Sequence, residues 1–207
     1  MSQLVLTAET LAGTPAAGTT EYNGTIQTFT PLGTQRGVVP AEQFFALNSG
    51  LAGANATGAQ SIFGVGVTLS TSTQYEFEIT FQFAKTAGTT SHTVAFGFGG
   101  TATVNNIIYD VTINTNQTVL NTFNAGGTNN TYNTTAATVA TNAITAATVY
   151  PSGIIKGTVS INAGGTFIPQ YTLSAAPGGA YTATAGSYMK IKPIGVAGAN
   201  VSVGTWA

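Results

Sequence analysis

Residues 75–83 read YEFEITFQF, and no other stretch constrains the fold as strongly. Tyr75, Phe77, Ile79, Phe81 and Phe83 alternate with Glu76, Glu78, Thr80 and Gln82. Successive side chains of a strand point to opposite faces, so five large apolar groups share one face and four polar groups share the other. A helix repeats every ~3.6 residues and would scatter both sets around its axis. Full burial contributes about 1.5–3 kcal/mol per large apolar side chain, which makes this strand the expected centre of a β core.

Further strands are expected at residues 61–69, 92–98, 106–113, 119–123, 136–150, 154–161, 166–174, 187–194 and 201–206, all rich in Val, Ile, Thr, Phe or Tyr. Glycine pairs at 99–100, 126–127, 164–165 and 178–179 punctuate them. Residues 157–174 read as a hairpin around Gly164 and Gly165, with Pro169 marking its second arm as an edge or bulged strand. Residues 124–133 (NAGGTNNTYN) read as an exposed loop, and residues 41–47 (AEQFFAL) as a short helical turn or a strand entry. About eight to ten short strands with glycine-rich turns specify an all-β fold, a jelly roll or β-sandwich, and no fixed-period repeat points to a propeller or β-helix. Residues 1–43 contain Pro15, Pro31 and Pro40 among Thr, Gly and Ala, and are expected to form an extended N-terminal docking arm before a sandwich domain at 44–207.

Charge narrows the function. Only 5% of the 207 residues are charged and the net charge is −1, against about 25% charged residues in an ordinary soluble domain. Such a surface does not attract a phosphate backbone or an anionic lipid, so neither nucleic acid nor membrane insertion is expected. Low charge here does not mean disorder, because 43% of residues are hydrophobic and 11 are Phe. A near-neutral surface favours association, as in a lattice or an oligomer. The start, MSQLVLTAETLAG, has neither a basic head nor a long apolar core and does not read as a secretion signal.

The residues available for chemistry are few. With no cysteine, disulfides and thiolate metal sites are excluded. Glu76 and Glu78 share a strand face about 7 Å apart, a spacing that suits the paired carboxylates of an inverting glycosidase. The competing reading is a polar strand face. His92 is the only histidine, and no G-x-S-x-G elbow accompanies it, so it reads as a structural group at a turn. No catalytic residue, cofactor or metal is expected.

Four stretches carry a resemblance: residues 12–25 (AGTPAAGTTEYNGT), 36–78 (RGVVPAEQFFALNSGLAGANATGAQSIFGVGVTLSTSTQYEFE), 85–103 (KTAGTTSHTVAFGFGGTAT) and 154–207, where INAGGTF, PQ, SAAPGG and PIG follow in order. They resemble modules that recur in tail fibres and other structural proteins of bacteriophages, especially marine and cyanobacterial ones. The resemblance implies a β-rich module, a jelly roll displayed as a homotrimer on the virion, in contact with other capsid or tail proteins and made in the host cytoplasm. In long fibres the module follows a shaft. A chain with only a short arm is expected to be a capsid decoration (cement) protein, a short head fibre or a tip mounted on another fibre. Tyr22, Phe29, Phe44, Phe45 and Trp206 are the interface candidates. The alternative expectation is a receptor-binding tip for host surface polysaccharide, with Tyr132, Tyr181 and Tyr188 stacking on sugars. A third is a glycan hydrolase using Glu76 and Glu78.

Overall fold

The computed structural model describes residues 4–115, 118, 127–200 and 202–206. Among them sixteen strands follow in chain order: β1 (Thr20–Tyr22), β2 (Gln27–Leu32), β3 (Gln35–Val38), β4 (Gln43–Ala46), β5 (Leu51–Ala52), β6 (Gln60–Ser61), β7 (Val67–Leu69), β8 (Thr73–Ala84), β9 (Val94–Gly99), β10 (Thr103–Asn114), β11 (Gly127–Tyr132), β12 (Thr138–Val139), β13 (Ser152–Ala163), β14 (Gly165–Leu173), β15 (Thr182–Ala183) and β16 (Tyr188–Val196). The described residues contain no helix, so the all-β expectation holds.

Two antiparallel sheets pack as a β-sandwich. The larger runs β11-β10-β13-β8, and β8 is flanked on its other side by β16 and then by β15. β4 extends the sheet from β16, and β5 extends it from β15. The smaller sheet runs β12-β9-β14, with β6 and β7 both paired to the far side of β14. Tyr75, Phe77, Ile79, Phe81 and Phe83 of β8 are all buried, as the alternation requires. They meet an aromatic layer from the smaller sheet: Phe77 lies 5.3 Å from Phe98, Phe81 4.9 Å from Phe96 and Phe83 4.8 Å from Tyr171 between ring centroids. Each such pair adds about 0.5–1.5 kcal/mol beyond the area it buries.

The expected hairpin at 157–174 does not form. β13 pairs with β8 and β10 in one sheet, and β14 pairs with β6, β7 and β9 in the other. Gly164 therefore sits where the chain crosses between layers. Pro169 is not on an edge either. Its carbonyl accepts the Ile62 N–H at 3.0 Å, so its nitrogen faces the same side, where the partner strand is interrupted between β6 and β7. The missing donor falls in that gap.

The expected extended arm is also revised. β1, β2 and β3 form an antiparallel meander that pairs with no strand of the sandwich. Glu21 on β1 clamps Arg36 on β3, with Oε2 2.6 Å from the guanidinium, and Oε1 accepts the Ala12 N–H at 2.7 Å. Residues 41–47 contribute β4, the strand-entry option. Residues 127–132, expected in a loop, form β11 against β10. Residues 136–150 give only β12 and isolated bridges, and residues 202–206 form no strand. The strand expected at 119–123 lies outside the described residues.

Candidate functional site

β4 pairs with β16 alone, which leaves its other edge unpaired among the described residues. Alternation along QFFA places Phe44 and Phe45 on opposite faces, yet both reach water, at 64% and 41% exposure. The reason is the opposite wall. Between β6 and β7 the chain turns at residues 62–66, where Ser61 Oγ accepts the N–H groups of Phe63 and Gly64 at 3.3 and 2.9 Å. Gly64 takes φ of 72°, a conformation that suits glycine. The turn presents Phe63 edge-on to Phe45, ring centroids 6.0 Å apart, and leaves Val65 exposed. Between the two walls lies a cavity of about 180 Å³ floored by Pro169, Met189 and Ile191, and no charged side chain lines it. Of the interface candidates, Phe44 and Phe45 both line this groove. Phe63 and Val65 were missed, because residues 61–69 read as one strand. The glycines at 64 and 66 are the signal of the turn that separates them.

Phe44 also faces Tyr188 at 5.8 Å on the outer face of the larger sheet. There the register aligns Asp110, Lys156, Glu78 and Lys190 across β10, β13, β8 and β16, and the row ends at Phe44. Glu78 bonds Lys156 at 3.0 Å and Lys190 at 3.4 Å, and accepts the Tyr188 hydroxyl at 3.1 Å. Glu76 bonds Lys192 at 3.2 Å. The hydrogen bond from Lys156 is the main cause that holds the Glu78 carboxyl below its ordinary range, with Tyr188 and Lys190 adding to it against the opposing effect of burial. A glycosidase acid needs the reverse shift, a carboxyl kept protonated near neutral pH. The two carboxylates sit instead in a solvated ladder of ion pairs, each worth ~0–1 kcal/mol.

The remaining candidates are dispersed. Tyr22 and Phe29 share the solvent face of the meander, with Phe29 42% exposed. Trp206 is 81% exposed and its Nε1–H donates to the Val203 carbonyl at 3.0 Å. Tyr132 is half-buried and packs 5.4 Å from Tyr109, its hydroxyl donating to the Val139 carbonyl. Tyr181 cannot stack on a sugar, because its ring is buried against Phe83 and its hydroxyl meets His92. His92 is buried, bonded through both ring nitrogens. Among the described residues no three His, Asp or Glu side chains converge as a metal site.

No family model, no curated protein sequence and no solved structure matches the chain.

Proposed function

We propose that this chain is a non-catalytic structural protein of a bacteriophage particle, a homotrimeric capsid decoration or short surface fibre whose apolar groove receives a second copy. The observation that carries the assembly reading is Phe44 standing 64% exposed on an unpaired sheet edge beside a charge-free groove. Phe44, Phe45 and Val65 stay 64%, 41% and 46% exposed, so covering them would add the outstanding part of the about 1.5–3 kcal/mol that full burial of each contributes. A second copy suits the site because the net charge of −1 gives little repulsion between copies. The row Asp110, Lys156, Glu78, Lys190 also alternates in sign, so the sheet face beside the groove presents no block of like charge to that copy. The placement on a phage particle rests on the resemblance of residues 12–25, 36–78, 85–103 and 154–207 to phage structural modules. The solvent-facing Tyr22 and Phe29 of the meander are the natural contacts for a neighbouring virion protein.

Sedimentation equilibrium tests the groove. Wild-type protein is expected to be an oligomer, and the Phe44→Ser, Phe45→Ser double variant a monomer with an unchanged far-UV spectrum. A monomeric wild type, or a double variant that assembles normally, would sink the reading. The tilted pair of Phe44 and Tyr188 beside Glu78 favours a second reading, a glycan-binding tip. In that case Tyr188→Ala abolishes binding to host polysaccharide while assembly is untouched.

A further inference from the structure

The end of the sandwich away from the meander holds a polar cluster that no docking role uses. Lys85 continues the inward register of β8 one step past Phe83, and its side chain is buried. Its Nζ donates to the carbonyls of Ala87 at 3.1 Å, Gly88 at 2.8 Å, Ala146 at 2.7 Å and Ala147 at 3.1 Å, which satisfies all of its protons. Gly88 has φ of 81° and lies so close to the Pro177 carbonyl that any side chain there would collide with it. The loops after β8, before β13 and after β14 are thereby locked together.

His92 sits in this cluster with 2% exposure. Its Nδ1 lies 2.7 Å from the Thr90 carbonyl, which can only accept, so Nδ1 carries the proton. Nε2, 2.8 Å from the Tyr181 hydroxyl, then accepts from it. The neutral ring is fully satisfied. A second proton, on Nε2, opposes the Tyr181 O–H and places a buried charge beside the Lys85 ammonium. Burial first, then Lys85, hold the imidazole below its ordinary range, partly opposed by Thr90. The groups facing the ring are Lys85 from the end of β8 and Tyr181 from the loop after β14, with Tyr171 of β14 behind Tyr181. Ile144, bridged to His92, brings no charge, and Glu76 and Glu78 point from the opposite face of β8.

Tyr181 also holds residues 51–62. Its carbonyl accepts the Gly53 N–H at 2.8 Å, and β15, which follows it, pairs with β5. Nearby, the Asn55 side chain accepts the Gly178 N–H at 3.0 Å, and the Tyr171 hydroxyl donates to Gln60 at 3.0 Å. The held segment leads directly into Phe63 and Val65, one wall of the groove.

We propose that His92 is a proton-operated release: protonation displaces Tyr181, frees residues 51–62 and reshapes the groove wall at Phe63 and Val65. The consequence for the groove rests on the docking reading above, whereas the release itself does not.

Amide hydrogen exchange tests the release, followed from about pH 7.5 to about pH 5 and corrected for intrinsic rates. His92 is the only histidine, so its ring resonance reports its titration without ambiguity. Protection at Gly53, Ala54 and Ile62 is expected to fall by up to about tenfold per pH unit from the ordinary histidine value of about 6.5 down to the lower His92 midpoint and to level off below it, while Phe77 and Ile79 keep theirs. His92→Gln, whose amide oxygen accepts from Tyr181 but takes up no proton, should hold the segment at both ends of the range. Tyr181→Phe, which removes a bond that favours the neutral ring, should raise the His92 midpoint. Wild-type protection that ignores pH, an equal loss in His92→Gln, or an unmoved midpoint in Tyr181→Phe would each overturn the proposal. Oligomer dissociation that tracks the exchange supports the groove consequence. A pH-independent oligomer with a released segment overturns only that consequence.

Discussion

In β8 the aromatic side chains face inward and the carboxylates outward, whereas in β2 Thr28 and Thr30 are buried and Phe29 stands in solvent. Both strands obey the same period of two. They differ in what lies across from them. β8 faces the aromatic layer of β9 and β14, which rewards apolar groups. The inner face of β2 faces polar groups instead: the Glu21–Arg36 pair lies beside it and holds Ala12 through its N–H and its carbonyl, while Gly18 and Thr19 bond the Thr30 backbone. Period fixes which side chains share a face, and the neighbouring layer decides which face is inside.

The same truncation at both sites gives the largest contrast. Phe81→Ala should destabilise the sandwich by about 3–5 kcal/mol in urea unfolding, while Phe29→Ala should cost less than about 1 kcal/mol in the unassembled chain. Equal losses would mean that Phe29 is as well packed as the core, and the comparison would collapse. A smaller effect of opposite sign is expected at Thr30, whose buried hydroxyl finds no partner among the described residues. Thr30→Val keeps the shape, removes the desolvated oxygen and should stabilise the meander by about 1 kcal/mol. A destabilised variant would reveal a bond to that hydroxyl.

The subtlest effect is a pH response confined to the meander. The Ala12 N–H foremost, and Arg36 after it, hold the Glu21 carboxyl below its ordinary value of 4.5. A lowered carboxyl stabilises the folded state above that value, and the contribution disappears as pH falls through the folded value. Exchange at Ala12 and within β1 to β3 should therefore quicken on acidification below about pH 4.5, before β8 responds. Simultaneous loss in both regions would show that the meander is not a separate unit.

The core strand was legible because its alternation is strict over nine residues and nothing local competes with it. The same rule reaches Lys85, which keeps the odd-numbered inward register of Tyr75 to Phe83, but a lysine is expected outside and the alternation alone does not signal the four carbonyls that receive it. The supposed hairpin at 157–174 misled because Gly164 and Gly165 permit a sharp reversal without saying whether the flanking strands pair or part into two sheets. The meander was hidden by Pro31 and by strands that bury threonine. At the groove, Phe44 and Phe45 were visible as adjacent aromatics. Their partner wall was not, since it depends on β14 being flanked by two short strands with a gap opposite Pro169.

The position of β8 has a consequence for how the chain is made. Its neighbours are β13 on one side and, on the other, β16, which begins more than a hundred residues later in the sequence. Until residues 188–196 have been synthesised, the strand that carries Tyr75, Phe77, Ile79, Phe81 and Phe83 lacks the partner that covers most of one edge. Pairings of such long reach form slowly, because the intervening chain must be closed into a loop first. During that interval β8 is an open edge on which another nascent chain can dock wrongly. Yield of soluble protein should thus depend on growth temperature and on helper proteins that shield the waiting strand.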